Sequence, residues 1–259
     1  MIANLLLLLT AAIWGFGFVA QVLGMNYLEP FAFIGARFVL GALSLLPVIW
    51  YLQRQEITAG PGIGYLIYAS CVLGTILFAA SSFQQVGLLY TTASNAGFIT
   101  GMYMVFVPIF GLMLGMATGL VTWLGCIVAA TGLFMLGVND RYEMGYGDLL
   151  QLAGAGIWAA HILAIDHFTK YAPGVQLACG QFVVCAALGA IVSMVFAGET
   201  TTWPQLGAAV PTLIYAGIIT VGVAYTLQIV AQAKANPVHA GIILSLSLIH
   251  ISEPTRPYW

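Results

Sequence analysis

Eight side chains in this sequence can do chemistry in surroundings that otherwise offer none: Trp14, Arg37, Gln84, Asn95, Trp158, His161, Gln228 and His239. Each lies within or beside a long apolar run, where a polar group is costly unless it meets a partner or faces a cavity. Arg37 is a fixed cation, and its planar guanidinium can hold a carboxylate through two parallel hydrogen bonds. The alternative for it is to snorkel to a membrane interface or to hold a backbone carbonyl. Gln84 and Gln228 can each donate to and accept from a polar solute, or simply bond one helix to another. His161, one turn after Trp158 and on the same helix face, suits either a coupling proton or a neutral hydrogen bond between helices. Asn95 and His239 stand near expected helix starts, where free N–H groups favour anions and where capping residues also gather. Trp14 and Trp158 can wall a site for an aromatic or cationic solute, or pack as large core residues. Tyr68, Tyr103 and Tyr225 add hydroxyls expected at membrane depth in a hydrogen-bonded core. Asp166 and His167, beside Lys170, read as interfacial.

A shift of 144 residues lays Trp14 on Trp158, Gln84 on Gln228 and Asn95 on His239. With the same offset Phe38 falls on Phe182, Ala80 on Ala224, and Ala96-Gly97 on Ala240-Gly241. The chain is therefore one unit written twice. Arg37 breaks the pairing, because its counterpart is Gln181.

The elements that must position these groups follow from composition. With 61% hydrophobic residues, 5% charged residues and a mean hydropathy of +1.02, the chain lacks the polar residues of a soluble surface and belongs in lipid. The spans expected are 3–23, 30–52, 63–87, 93–115, 119–137, 148–168, 174–196, 207–232 and a ninth beginning near Pro237. Continuous apolar runs of this length exclude the alternating strands of a barrel, so the fold class is an all-α integral membrane protein. The first repeat occupies 1–137, a polar linker 138–147, and the second repeat 148–245. Five helices per repeat, an odd number, make the second copy enter the membrane in the opposite sense. Such inverted repeats suit secondary transport, because the halves can exchange conformations around one central site. Arg54, Lys170 and Lys234 fall on one side and Glu29, Asp148 and Glu199 on the other, which places the N-terminus in the cytoplasm.

Other classes of function fit less well. A net charge of −2 offers no footprint for nucleic acid. No glycine-rich phosphate loop, metal-ligand cluster or nucleophile with a base is readable, so no cofactor and no metal are expected and the chain is not read as an enzyme. Cys71, Cys126, Cys179 and Cys185 lie in apolar runs and read as small packing residues. A non-transporting structural or signalling membrane protein and an intramembrane enzyme are the alternatives. The expected partners are the lipid bilayer and a small-molecule substrate, with a homodimer left open.

Four motifs carry a family resemblance: Ile-Trp-Gly (13–15), Ala-Arg-Phe (36–38), Thr-Ala-Ser-Asn-Ala-Gly (92–97) and Ala-Asn-Pro-Val-His-Ala-Gly (235–241). In this order, and with the duplication, they resemble the drug/metabolite transporter superfamily, in its ten-helix EamA-like branch. The resemblance implies a bacterial inner-membrane carrier, with helices 1–4 and 6–9 around a cavity. It also implies small polar substrates such as amino acids or amines, often exported. The chain departs from that pattern at its end. Leu-Ser-Leu-Ile-His-Ile-Ser-Glu-Pro-Thr-Arg (246–256) resembles a translated sequencing adapter, so residues 246–259 are expected to be artefactual, leaving the second repeat truncated after about nine helices.

Overall fold

The computed structural model describes residues 2–54, 62–137 and 144–246. Among them the regular structure is helical throughout, as it must be where no water is at hand and each backbone group has to bond within its own segment. The first half comprises α1 (Ile2–Gly24), α2 (Pro30–Arg54), α3 (Ile63–Gly87), α4 (Ala93–Gly101), α5 (Tyr103–Met113) and α6 (Leu120–Gly137). The second comprises α7 (Tyr146–Phe168), α8 (Gly174–Ile191) with a π-helical end (Val192–Ala197), α9 (Trp203–Leu213), a π-helical segment (Ile214–Tyr225), α10 (Thr226–Gln232) and α11 (Pro237–Ser245). Counting continuous rods, these make nine. Seven of them, 21 to 30 residues long, are long and apolar enough to cross a bilayer. The chain is a multi-pass membrane protein. The tail from 247 onward and linker residues 138–143 lie outside the described residues.

The bounds depart from expectation where the hydrophobic pattern is silent. The rod expected at 93–115 is broken at Met102 into α4 and α5. Within α5, Pro108 has no N–H to give to the carbonyl of Met104. Cys126 fills that place, its thiol donating to Met104 O at 3.4 Å, so this cysteine does more than pack. The rod expected at 207–232 begins at Trp203, because Thr202 N donates to Gln205 Oε1 at 2.9 Å and forms a cap ahead of the apolar run.

Packing repeats the twofold pattern of the sequence. α2 lies against α8, and the mirror residues Phe38 and Phe182 meet there with ring centroids 5.9 Å apart. α3 packs on α7 just as α1 packs on the 214–232 rod, and α4 packs on α7 just as α11 packs on α1. A methyl on Gly189 would stand 2.9 Å from Gly35 N, and one on Gly147 would stand 2.8 Å from Gly87 O, so both crossings bring backbone onto backbone. The spacings Gly97/Gly101 and Gly111/Gly115 suggest other close approaches. At Gly111, however, the nearest neighbour of an added methyl is Met116 at 3.6 Å, and Gly115, with φ of +78°, faces open space at the end of α5.

The halves run in opposite directions. The loop after α1 shares a depression with Val86 and Leu89, at the end of α3, and with Gly198 and Glu199. The loop after α7, related to it by 144 residues, instead meets the start of α3, where Tyr65 lies 6.2 Å from Tyr171 and Tyr68 lies 5.9 Å from Phe168. One end of the bundle thus carries Glu29, Asp148 and Glu199, the glutamate end. The other, the lysine end, carries Arg54, Lys170 and, one turn past Val230, Lys234. Tyr68 is 59% exposed in that aromatic cluster, which corrects the expectation of a core hydroxyl and suits a membrane-interface belt. Asp166 and Lys170 pair there at 2.8 Å.

Candidate functional site

A cavity opens between α1, α2, α3, the α4–α5 break, α7 and the 214–232 rod. It is the point where both repeats converge, since five of the eight candidate side chains line it, Trp14, Arg37, Gln84, Trp158 and Gln228, together with Tyr103 and Tyr225. About 50 Å³ of it admits the centres of water molecules, room for a few waters.

Arg37 stands on α2 two turns from the glutamate end and is only 3% exposed, so it does not snorkel to the surface of the bundle. Its guanidinium carbon lies 5.1 Å from the ring centroid of Phe38 and 5.8 Å from that of Phe33, a cation–π setting that offers no neutralising charge. Among the described residues no carboxylate pairs with it, and its Nε has no hydrogen-bond partner. An unpaired buried cation is costly, and it persists only where something pays that cost.

Trp158 donates from its indole Nε1 to Gln84 Oε1 at 3.0 Å, and Gln84 Nε2 donates to Gln21 Oε1 at 3.2 Å. Gln151 extends this network: its Nε2 donates to the carbonyl of Gln84 at 2.9 Å, and its Oε1 accepts from Thr100 at 3.1 Å. Across the cavity Gln228 Nε2 donates to Gln232 Oε1 at 2.8 Å, while Gln228 Oε1 and Trp14 Nε1 are both without partners. Tyr225 separates the two tryptophans, 4.7 Å from Trp14 and stacked at 6.0 Å on Trp158.

His161, Asn95 and His239 are not brought into the cavity. His161 is fully buried beside it and donates from Nε2 to Gln181 Oε1 at 2.9 Å, joining α7 to α8. Asn95 is half-buried on the first turn of α4. The cap there is Thr92, whose Oγ1 accepts from Asn95 N at 3.1 Å. His239 is exposed on α11, where Asn236 caps the helix by accepting from Val238 N at 2.9 Å. Thr92 and Asn236 are themselves related by the offset of 144.

Three polar cavity residues escape the sequence reading: Gln21, Thr100 and Thr220. Gln21 was within reach, because Trp14, Phe18 and Gln21 follow the i, i+4, i+7 spacing of one helix face. Thr220 was not. It lies in the π-helical segment, whose wider turn rotates positions away from where a regular helix would put them.

The EamA-like transporter family matches residues 1–138 and, separately, residues 145–251. An uncharacterized transporter of Archaeoglobus fulgidus is 31% identical over 257 residues, covering 94% of this chain and 74% of its own length. A second uncharacterized transporter of that organism is 27% identical over 257 residues, covering 94% of this chain and 84% of its own. A solved crystal structure superposes with a TM-score of 0.76 at 20% identity, over 96% of this chain and 85% of that one, a likeness of fold.

Proposed function

The chain belongs to the EamA-like transporter family, and from that premise we propose that this membrane transporter is a secondary carrier of small carboxylate-bearing metabolites. It works by alternating access and exports them across a bacterial inner membrane. The lysine end faces the cytoplasm by the positive-inside rule, and α1 begins at that end. One observation carries the reading of the site. Five residues that line this cavity each carry a buried polar atom without a hydrogen-bond partner: Trp14 Nε1, Arg37 Nε, Tyr103 Oη, Thr220 Oγ1 and Gln228 Oε1.

Buried polar groups are normally paired, so a cluster of orphans around a cavity describes the ligand in negative. Two of these groups only donate, two are hydroxyls that do either, and one accepts. An acceptor-rich anion fits them, with its carboxylate on the guanidinium and its apolar body among Trp14, Trp158 and Tyr225. An amine lacking a carboxylate would set its charge against Arg37, with no acidic side chain among the described cavity residues to offset it. Of amino acids and amines, the charge balance therefore supports the amino acids and related acids.

The test is solute flux in proteoliposomes, using radiolabelled carboxylic acids, amino acids and amines matched in carbon skeleton, with and without a pH gradient. Saturable flux confined to the carboxylates is expected, and transport of the amines alone would overturn the reading. If His161 serves only to bond α7 to α8, then His161→Gln retains whatever gradient dependence the unsubstituted protein shows.

A further inference from the structure

The offset of 144 residues relates not only residues but hydrogen bonds. Trp158 and Gln84 belong to opposite halves and are joined at 3.0 Å. Their counterparts Trp14 and Gln228 also belong to opposite halves and line the same cavity, yet Trp14 Nε1 and Gln228 Oε1, the mirror donor and the mirror acceptor, both lack partners. A structure in which both copies were equivalent would hold both bonds or neither.

We propose that Trp158–Gln84 and Trp14–Gln228 are two alternative positions of one latch, closed in turn as the two halves exchange conformations. The formed bond closes the glutamate end, and its mirror closes the lysine end.

Position along the rods assigns the ends. Gln84 lies one turn from the C-terminus of α3, at the glutamate end, and Trp158 is at mid-height on α7, so their bond ties α7 to α3 on the glutamate side of the cavity. Gln228 lies one turn from the C-terminus of α10, at the lysine end, and Trp14 is at mid-height on α1. Their bond would tie α1 to α10 on the lysine side. Tyr225, one turn before Gln228, packs on Trp14 at 4.7 Å, whereas the position related to it in the first half is Ser81. The ring holds the indole that must move if the mirror bond is to form. Each bond is neutral, which is what a reversible device needs: a typical net contribution of about 1 kcal/mol biases an equilibrium roughly five-fold without locking it. The orphan atoms of the open latch are also among those that would meet a bound solute. Arrival of solute at one end and release of the latch at the other therefore share the same groups.

This inference rests on the carrier reading, and hydrogen–deuterium exchange of the full chain in lipid nanodiscs separates the two. The loops at 24–30 and 88–92 report the glutamate end, and the related loops at 168–174 and 232–236 report the lysine end. Trp158→Phe, or Gln84→Leu should that variant not fold, is expected to raise exchange several-fold at the first pair of loops and to lower it at the second. Adding Trp14→Phe, or Gln228→Leu, should abolish the protection gained at the lysine end. If Trp158→Phe and Gln84→Leu bring no protection to 168–174 and 232–236, or if that protection survives the second substitution, the latch is wrong. Flux by the unsubstituted protein, measured on the same preparations, decides the carrier reading separately.

Discussion

The two seams that join the halves share a geometry and differ in chemistry. Where α7 meets α3 and α4, Gln151 bonds to the Gln84 carbonyl and to Thr100, and Thr91 donates to Asp148 at 2.5 Å. Where α1 meets the 214–232 rod and α11, the related positions read Leu7 for Gln151, Leu244 for Thr100, Ala235 for Thr91 and Asn4 for Asp148. Leu7 and Leu244 are fully buried. The first seam is thus bonded between side chains of both halves, whereas the second combines leucine contact with two bonds to backbone carbonyls, Thr10 Oγ1 to Ala224 O at 3.3 Å and Tyr215 Oη to Ile13 O at 3.1 Å. The same offset separates Arg37, without a charged partner among the described residues, from Gln181, whose Oε1 is held by His161, whose own counterpart is Gly17. Duplication gives two equivalent frameworks, and divergence has put the fixed charge in one half and a neutral histidine–glutamine bond in the other.

Making the halves alike tests what the difference does. The largest effect is expected from Arg37→Gln, which copies the second half into the first. Loss of a charge-assisted contact should lower carboxylate flux by about two orders of magnitude or more, with membrane insertion unchanged. Flux at the unsubstituted level would remove Arg37 from the site. Next in size is Gln151→Leu, which gives the first seam the residue of its mirror. It strips partners from Thr100 and from the Gln84 carbonyl and should cost about 1–3 kcal/mol, read as a lower melting temperature in detergent. An unchanged melting temperature would mean that the Gln151 bonds add nothing to the packing of α7 on α3 and α4. The smallest effect is expected from Lys170→Ala. An exposed pair at this spacing contributes under about 0.5 kcal/mol, so its melting curve should overlay that of the unsubstituted protein, and a clear drop would show the lysine end to be more rigid than its exposure suggests.

Much of this was written in the sequence because lipid leaves few options. Apolar runs mark the rods to within a few residues, and the offset of 144 pairs Trp14 with Trp158 and Gln84 with Gln228, the four residues that meet at the cavity. What stayed hidden depends on local backbone and on orientation around a helix. His161 and the cavity residue Trp158 share a face by spacing, yet the amide of Gln181 draws the imidazole to the α7–α8 contact. Asn95 and His239 carried the polar signal at two helix starts, while the capping itself falls to Thr92 and Asn236. The π-helical segment that carries Thr220 and Tyr225 has no hydrophobic signature at all, since a π turn keeps the same apolar composition as an α turn.

The glutamate end holds one more consequence, for the way the protein is made. The free amides at the start of α2, Phe31 N and Ala32 N, donate to the Glu199 carboxylate at 3.2 and 2.7 Å. That acceptor is translated 167 residues after Ala32. Until the ribosome reaches it, a newly inserted first repeat has no Glu199 to accept from these two amides, so this cap on α2 is made only after its twin arrives.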